Sequence, residues 1–129
     1  MFDQITMITL GVKDLKKSTA FYVDGLKLPK MPFDGEITFL ALKGTMLALY
    51  QVDLLAEDIG IKNDKSGFSG VTLAHNVSSE AEVDKAYGFA ITHGATPITP
   101  PVKKDWGGYS AYFADPDGYY WEIAYNPFF

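Results

Sequence analysis

The sequence predicts an α+β fold of two tandem β-α-β-β-β repeats, their strands forming a cupped mixed sheet with the helices outside. Three observations carry this reading. The stretch YSAYFADPDGYYWEIAYN, residues 109–126, is two strand-like runs flanking a Pro-Asp-Gly turn. Aromatic and β-branched residues suit a pleated surface, and the turn supplies the fixed φ and left-handed position that reverse a chain. Ser79-Glu80-Ala81-Glu82 reads as a capping box opening an amphipathic helix. Finally, the two halves can be laid over one another. Met7-Ile8-Thr9-Leu10 lies over Thr72-Leu73-Ala74-His75, Asp14 over Ser79, and Thr45-Met46-Leu47-Ala48-Leu49 over Tyr119-Tyr120-Trp121-Glu122-Ile123. An internal repeat decides architecture before local propensity does. The spacing from Ala48 to Glu122 exceeds that from Met7 to Thr72 by nine residues, placed most simply in the loop around 100–108.

The elements follow in order. QITMITLGV, residues 4–12, reads as a buried strand with Met7, Thr9 and Gly11 on one face. Asp14 is positioned to cap a helix running to about Val23, with Gly25 where a C-cap glycine would lie. Residues 36–42 and 45–51 are two strands around a Lys43-Gly44 turn, and KLPKMPF holds a short extra strand interrupted by prolines. Repeat one thus covers about 4–51. A linker, 52–69, follows, with Asp53 capping a short helix that Gly60 ends. Repeat two covers about 70–126: a strand at 70–77, and a helix with Val83, Ala86, Tyr87, Ala90 and Ile91 on its apolar face and Gly94 after its end. A short strand at 95–98, a proline- and glycine-rich loop at 99–108 and the hairpin complete it. The whole, residues 1–129, is expected to be a single domain.

Composition narrows the function classes. Hydrophobic residues make up 47% and aromatics 15%, as a packed globular protein requires. A net charge of −5 opposes nucleic acid or an anionic membrane as partner, since both need a basic surface. With no cysteine there is no disulfide, thiol nucleophile or thiolate metal site. No apolar stretch approaches the roughly 18 residues of a membrane span, and the N-terminus has no basic run before an apolar one. The expected setting is the cytoplasm.

One carboxylate, Glu122, sits inside the last strand between Trp121 and Ile123, sharing a face with Tyr120 and Ala124. Burying a carboxylate there is costly without a partner or a purpose, so Glu122 is the candidate catalytic acid/base or polar ligand anchor. Its structural alternative is a hydrogen-bonded residue with no chemistry. Trp106, Tyr109, Tyr112, Tyr119 and Tyr120 are candidates to line a pocket, although strand alternation must turn part of that set the other way. Trp106-Gly107-Gly108 reads as a lid with a glycine hinge. Asp115 and Asp117 read as turn residues, and Lys103-Lys104-Asp105 as a solvated loop. His75 is expected as a buried, hydrogen-bonded core residue and His93 as a surface cap of its helix. No phosphate-binding loop, nucleophile elbow or dinucleotide fingerprint is present.

The segments ITLGVKDLKKSTAFY at 8–22, SSEAEVDKAY with HGATPI after it, and FADPDGYYWEIAYNP at 113–127 resemble the vicinal oxygen chelate superfamily. That superfamily includes glyoxalases, extradiol dioxygenases, fosfomycin-modifying enzymes and bleomycin-binding proteins. The match spans nearly the whole chain, and TLAHNV with WGGYSAYFADPDGYYWEIAYNP is similar to a bacterial glyoxalase-like subgroup. The resemblance implies that metal-using members aim four ligands into the cup from positions that correspond here to Met7, Ala48, Thr72 and Glu122. Only Glu122 binds a hard or borderline cation well, and a catalytic zinc takes three protein ligands. The sequence therefore points to no metal and no other cofactor. Two readings stand. One is a metal-free pocket for a small hydrophobic or aromatic ligand, lined by Met7, Ala48, Thr72, Trp106, Tyr109, Tyr120 and Glu122. The other is a lyase, isomerase or dioxygenase-type enzyme using Glu122 as acid/base or as ligand of an atypical metal site. A homodimer is expected, because open curved sheets leave edge strands and apolar surface, to which Phe128-Phe129 adds.

Overall fold

The computed structural model describes residues 1–64 and 66–128. Lys65, in the expected linker, and Phe129, half of the terminal phenylalanine pair, lie outside the described residues. The chain forms two compact units, Met1–Ser66 and Gly67–Phe129, with the boundary inside the expected linker.

In the first unit, β1 (Met7–Val12) leads into α1 (Leu15–Thr19), which widens into a π turn over Ala20–Gly25. β2 (Ile37–Leu40), β3 (Met46–Gln51) and α2 (Val52–Ile59) complete it. The sheet order is β1-β3-β2, with β1 parallel and β2 antiparallel to β3. Asp14 caps α1 as expected, its Oδ1 accepting from the Lys17 N–H at 3.1 Å. Alternation sends Leu10, Val12, Leu47, Leu49 and Leu40 to the face under α1, where they are buried with Phe21 and Tyr22. Thr38 is the polar member of that layer, 5% exposed, and its hydroxyl shares a 2.8 Å hydrogen bond with that of Thr19.

Three local expectations change. The strand expected in KLPKMPF reduces to one bridge, Lys30 with Leu40, because Pro29 and Pro32 remove the amide donors a longer ladder needs. Gly25 closes the π turn instead of taking a left-handed cap position, and the residue with positive φ is Lys27, at 65°. Asp53 does not cap α2. Its Oδ1 accepts from the Asn63 amide at 2.8 Å, while Gly60 ends the helix in the left-handed conformation expected of it.

The second unit realises the full β-α-β-β-β order: β4 (Thr72–Val77), α3 (Glu80–Thr92), β5 (Thr96–Lys103), β6 (Tyr109–Ala114) and β7 (Tyr120–Tyr125). The strand order is β4-β7-β6-β5, with β4 parallel to β7 and the other neighbours antiparallel. Ser79 caps α3, its Oγ accepting from the Glu82 N–H at 3.1 Å. β5 is eight residues long, running through Pro97 and on past the expected short strand through Pro100 and Pro101, where a loop was expected. An edge strand tolerates proline because one side of its backbone needs no partner, and two register shifts against β6 absorb the rest. α3 packs on β6 and β7, and Val83, Ala90, Ala111, Phe113 and Ile123 are buried.

Candidate functional site

The Asp115–Gly118 turn determines what Glu122 faces. Asp115 is 2% exposed, and its Oδ1 accepts from the N–H groups of Asp117 at 2.9 Å and Tyr119 at 2.8 Å. Gly118 supplies the left-handed residue, with φ 84°. This turn locks the β6/β7 register, in which Tyr112 stands opposite Glu122, Ser110 opposite Ala124 and Ala114 opposite Tyr120. Parallel pairing then places Thr72 opposite Tyr120 and Ala74 opposite Glu122. Paired residues share a face, so Thr72, Ala74, Ser110, Tyr112, Tyr120 and Glu122 line one side of the sheet. The opposite side carries Tyr109, whose hydroxyl donates to Asp84 Oδ1 of α3 at 2.8 Å. The Glu122 side is therefore the face turned away from α3.

On that face the Tyr112 phenol stands opposite the Glu122 carboxylate. Burial, then the Glu122 charge and hydrogen bonding towards it, hold the Tyr112 phenol above the ordinary tyrosine value. Thr99 of β5 stands opposite Tyr112 on its other flank, so a hydroxyl, a phenol and a carboxylate form one row across three strands. Tyr120 is half-buried and meets Phe68 edge-on, ring centroids 5.7 Å apart. Ser110 is fully buried, and its Oγ has no hydrogen-bond partner among the described residues.

The expected site residues divide accordingly. Glu122, Tyr120 and Thr72 share the face turned away from α3, with Thr72 exposed and one pair removed from Glu122. Tyr109 does not join them, since it is three residues from Tyr112 and alternation turns it to α3. Trp106 lies in the β5–β6 turn, beyond the Tyr109 end of the strand pair. Its indole folds over Gly108 so closely that a Cβ there would overlap the ring, and Gly107 takes a left-handed φ of 98°. The Lys104 N–H to Gly108 carbonyl bond, 2.9 Å, closes this segment as a tight turn. In the first unit Met7 and Ala48 share the face turned away from α1, although Thr9, not Met7, stands opposite Ala48. α2 approaches that face at Gly11, where a Cβ would meet Val52 Cγ2 at 2.8 Å.

His75 corrects an expectation. It does point to the α3 side with Leu73 and Val77, but it is exposed, because β4 is an edge strand. His93 is the cap residue expected, its Nδ1 lying 2.8 Å from the Phe89 carbonyl. Tyr112 is among the aromatics expected to line a pocket, but only the turn length pairs it with Glu122. No sequence signal singles out Ser110.

The sequence model of the glyoxalase/bleomycin resistance protein/dioxygenase superfamily matches residues 4–123. The chain belongs to this superfamily. A glyoxalase-related enzyme from Fulvimarina pelagi is 37% identical with a TM-score of 0.90, over 98% of this chain and 90% of that one. A superfamily protein from Nocardioides is 28% identical with a TM-score of 0.81, over 97% and 84% of the two chains. One from Burkholderia phytofirmans PsJN, at 18% identity and a TM-score of 0.86 over 95% and 98%, shares the fold.

Metal-using relatives raise the question of whether this superfamily member carries a metal centre. The corresponding positions offer a thioether, a methyl group, a neutral hydroxyl and one carboxylate at Met7, Ala48, Thr72 and Glu122. Among the described residues no three His, Cys, Asp or Glu side chains come together. This donor set does not fit a zinc site or an octahedral oxygen site. Among the described residues no helix is long and apolar enough to cross a membrane.

Proposed function

We propose that this superfamily member binds a small hydrophobic or aromatic molecule, without a metal, on the face turned away from α3, with Glu122 as its polar anchor. The observation that carries this reading is the half-buried Glu122 carboxylate opposite Tyr112 in a face that also presents Tyr120 and Thr72. Aromatic walls supply contact area at low entropic cost, and a single charged group fixes orientation. A thermal-shift screen of metabolites and antibiotics tests it, because specific binding stabilises the native state. Hits on the wild type that vanish in Glu122→Gln support the reading. Hits that survive that change strip Glu122 of its role, and stoichiometric metal in the purified protein, lost in the same variant, overturns the metal-free part.

A second reading is favoured by the 37% identical relative, which is described as a glyoxalase-related enzyme. In it Glu122 moves a proton in a lyase, isomerase or dioxygenase-type reaction, or joins an atypical metal site. Turnover of a hit found in the screen separates the two. A homodimer belongs to the proposal as well. β4 is an edge strand with Thr72, Ala74, His75 and Asn76 exposed, the kind of edge a second copy covers. Sedimentation at micromolar concentration as a 14.2 kDa species would rule the dimer out.

A further inference from the structure

Among the described residues Glu122 has no counter-charge. The ion pair that β5 makes joins Lys103 to Glu80 at 3.3 Å, away from the Glu122 row. Tyr112 stands opposite the carboxylate, and a neutral phenol leaves its charge uncompensated. The surroundings suit a positive ligand in particular. The Tyr112 and Tyr120 rings flank Glu122 on the same face, and Phe68 meets Tyr120 edge-on. Aromatic faces attract cations, and the chain's net charge of −5 favours their approach.

We infer that the ligand is an organic cation, an aromatic or apolar body carrying a protonated amine that Glu122 binds beside the Tyr112 and Tyr120 rings. This rests on the ligand-binding reading of the same face and adds the ligand's charge to it.

Four probes of similar size test it: tyramine, phenethylamine, neutral tyrosol and anionic 3-(4-hydroxyphenyl)propanoate, each titrated at millimolar concentration into isotopically labelled protein and followed by amide shifts. Tyramine should move β6 and β7 amides and bind about tenfold more tightly than tyrosol or the propanoate, the scale of a charge-assisted contact beside aromatic rings. Glu122→Gln should erase that preference. Tyr112→Phe, which keeps the charge, should retain it and guards against misreading a folding defect in the first variant. Phenethylamine, which keeps the amine and lacks the phenol, should bind within a few-fold of tyramine. Equal binding of cation, neutral and anion, or a preference that survives Glu122→Gln, overturns the cationic ligand while the small-molecule reading stands. Absence of β6 and β7 shifts with all four probes overturns the inference and the reading beneath it.

Discussion

Ser110→Ala should make the unliganded protein more stable. The Ser110 hydroxyl is fully buried on β6 and has no hydrogen-bond partner among the described residues, so folding strips its water and returns nothing. An unsatisfied buried polar group costs roughly 1–3 kcal/mol, and alanine keeps the Cβ while removing that group. Some of the gain is offset by the small void left in place of the oxygen, whose dispersion attraction to its neighbours disappears. About 1 kcal/mol of net stabilisation remains. Unfolding entropy near 2.1 cal/mol/K per residue gives a chain of 129 residues roughly 0.27 kcal/mol/K, so Tm should rise by about 4 °C. In urea, with a slope of about 1.5 kcal/mol/M, the midpoint should move up by roughly 0.7 M with the slope unchanged. Coincident fluorescence and circular dichroism transitions would establish that the comparison is two-state. A destabilisation of about 1 kcal/mol or more would refute the reasoning, because it would mean that the hydroxyl makes a bond in the folded protein.

Asp115→Ala should lose about 3 kcal/mol in the same urea experiment, since it orphans the Asp117 and Tyr119 amides that the carboxylate accepts. Asp115→Asn, which keeps one acceptor oxygen, should lose less, and equal losses would show that the turn depends on charge alone. Gly108→Ala should drive the Trp106 indole off the turn, red-shifting its emission and lowering stability by about 1–3 kcal/mol; unchanged emission would count against that packing. Tyr112 has a phenol raised above its unfolded value, so its contribution to stability is complete below about pH 10 and is lost as pH rises through the higher folded value. Tyr112→Phe should accordingly remove a phenol from the late part of the ultraviolet absorbance curve and flatten the fall in stability at that alkaline limb. Loss of a phenol from the ordinary tyrosine range instead would refute the raised Tyr112 phenol.

Much of the fold was legible because it is written in short-range chemistry. Asp14 and Ser79 cap their helices through bonds reaching three residues along, and Asp115, Asp117 and Gly118 build their turn within five. Such interactions need no distant partner, so residue order alone specifies them. The repeat was legible for a related reason. The same alternation of apolar and small residues recurs in both halves, and the structure pairs β1 with β3 and β4 with β7 in the same parallel sense.

The site was less legible, because it depends on which strand lies beside which. Sequence placed Glu122 and Tyr120 on one face, but only the locked hairpin register put Tyr112 opposite Glu122 and sent Tyr109 to Asp84 on the other side. Position within the sheet decided the rest. β5 runs through three prolines because it is an edge, and His75 is exposed because β4 is the other edge. Burial of Ser110 without a partner is likewise a property of its neighbours, not of serine. The sequence by itself thus determined the helix caps, the turn, the repeat and the single carboxylate, all set by contacts a few residues long. Only the tertiary structure decided what stands beside that carboxylate, because strand pairing brings together residues that are remote along the chain and the sheet's edges decide what water reaches.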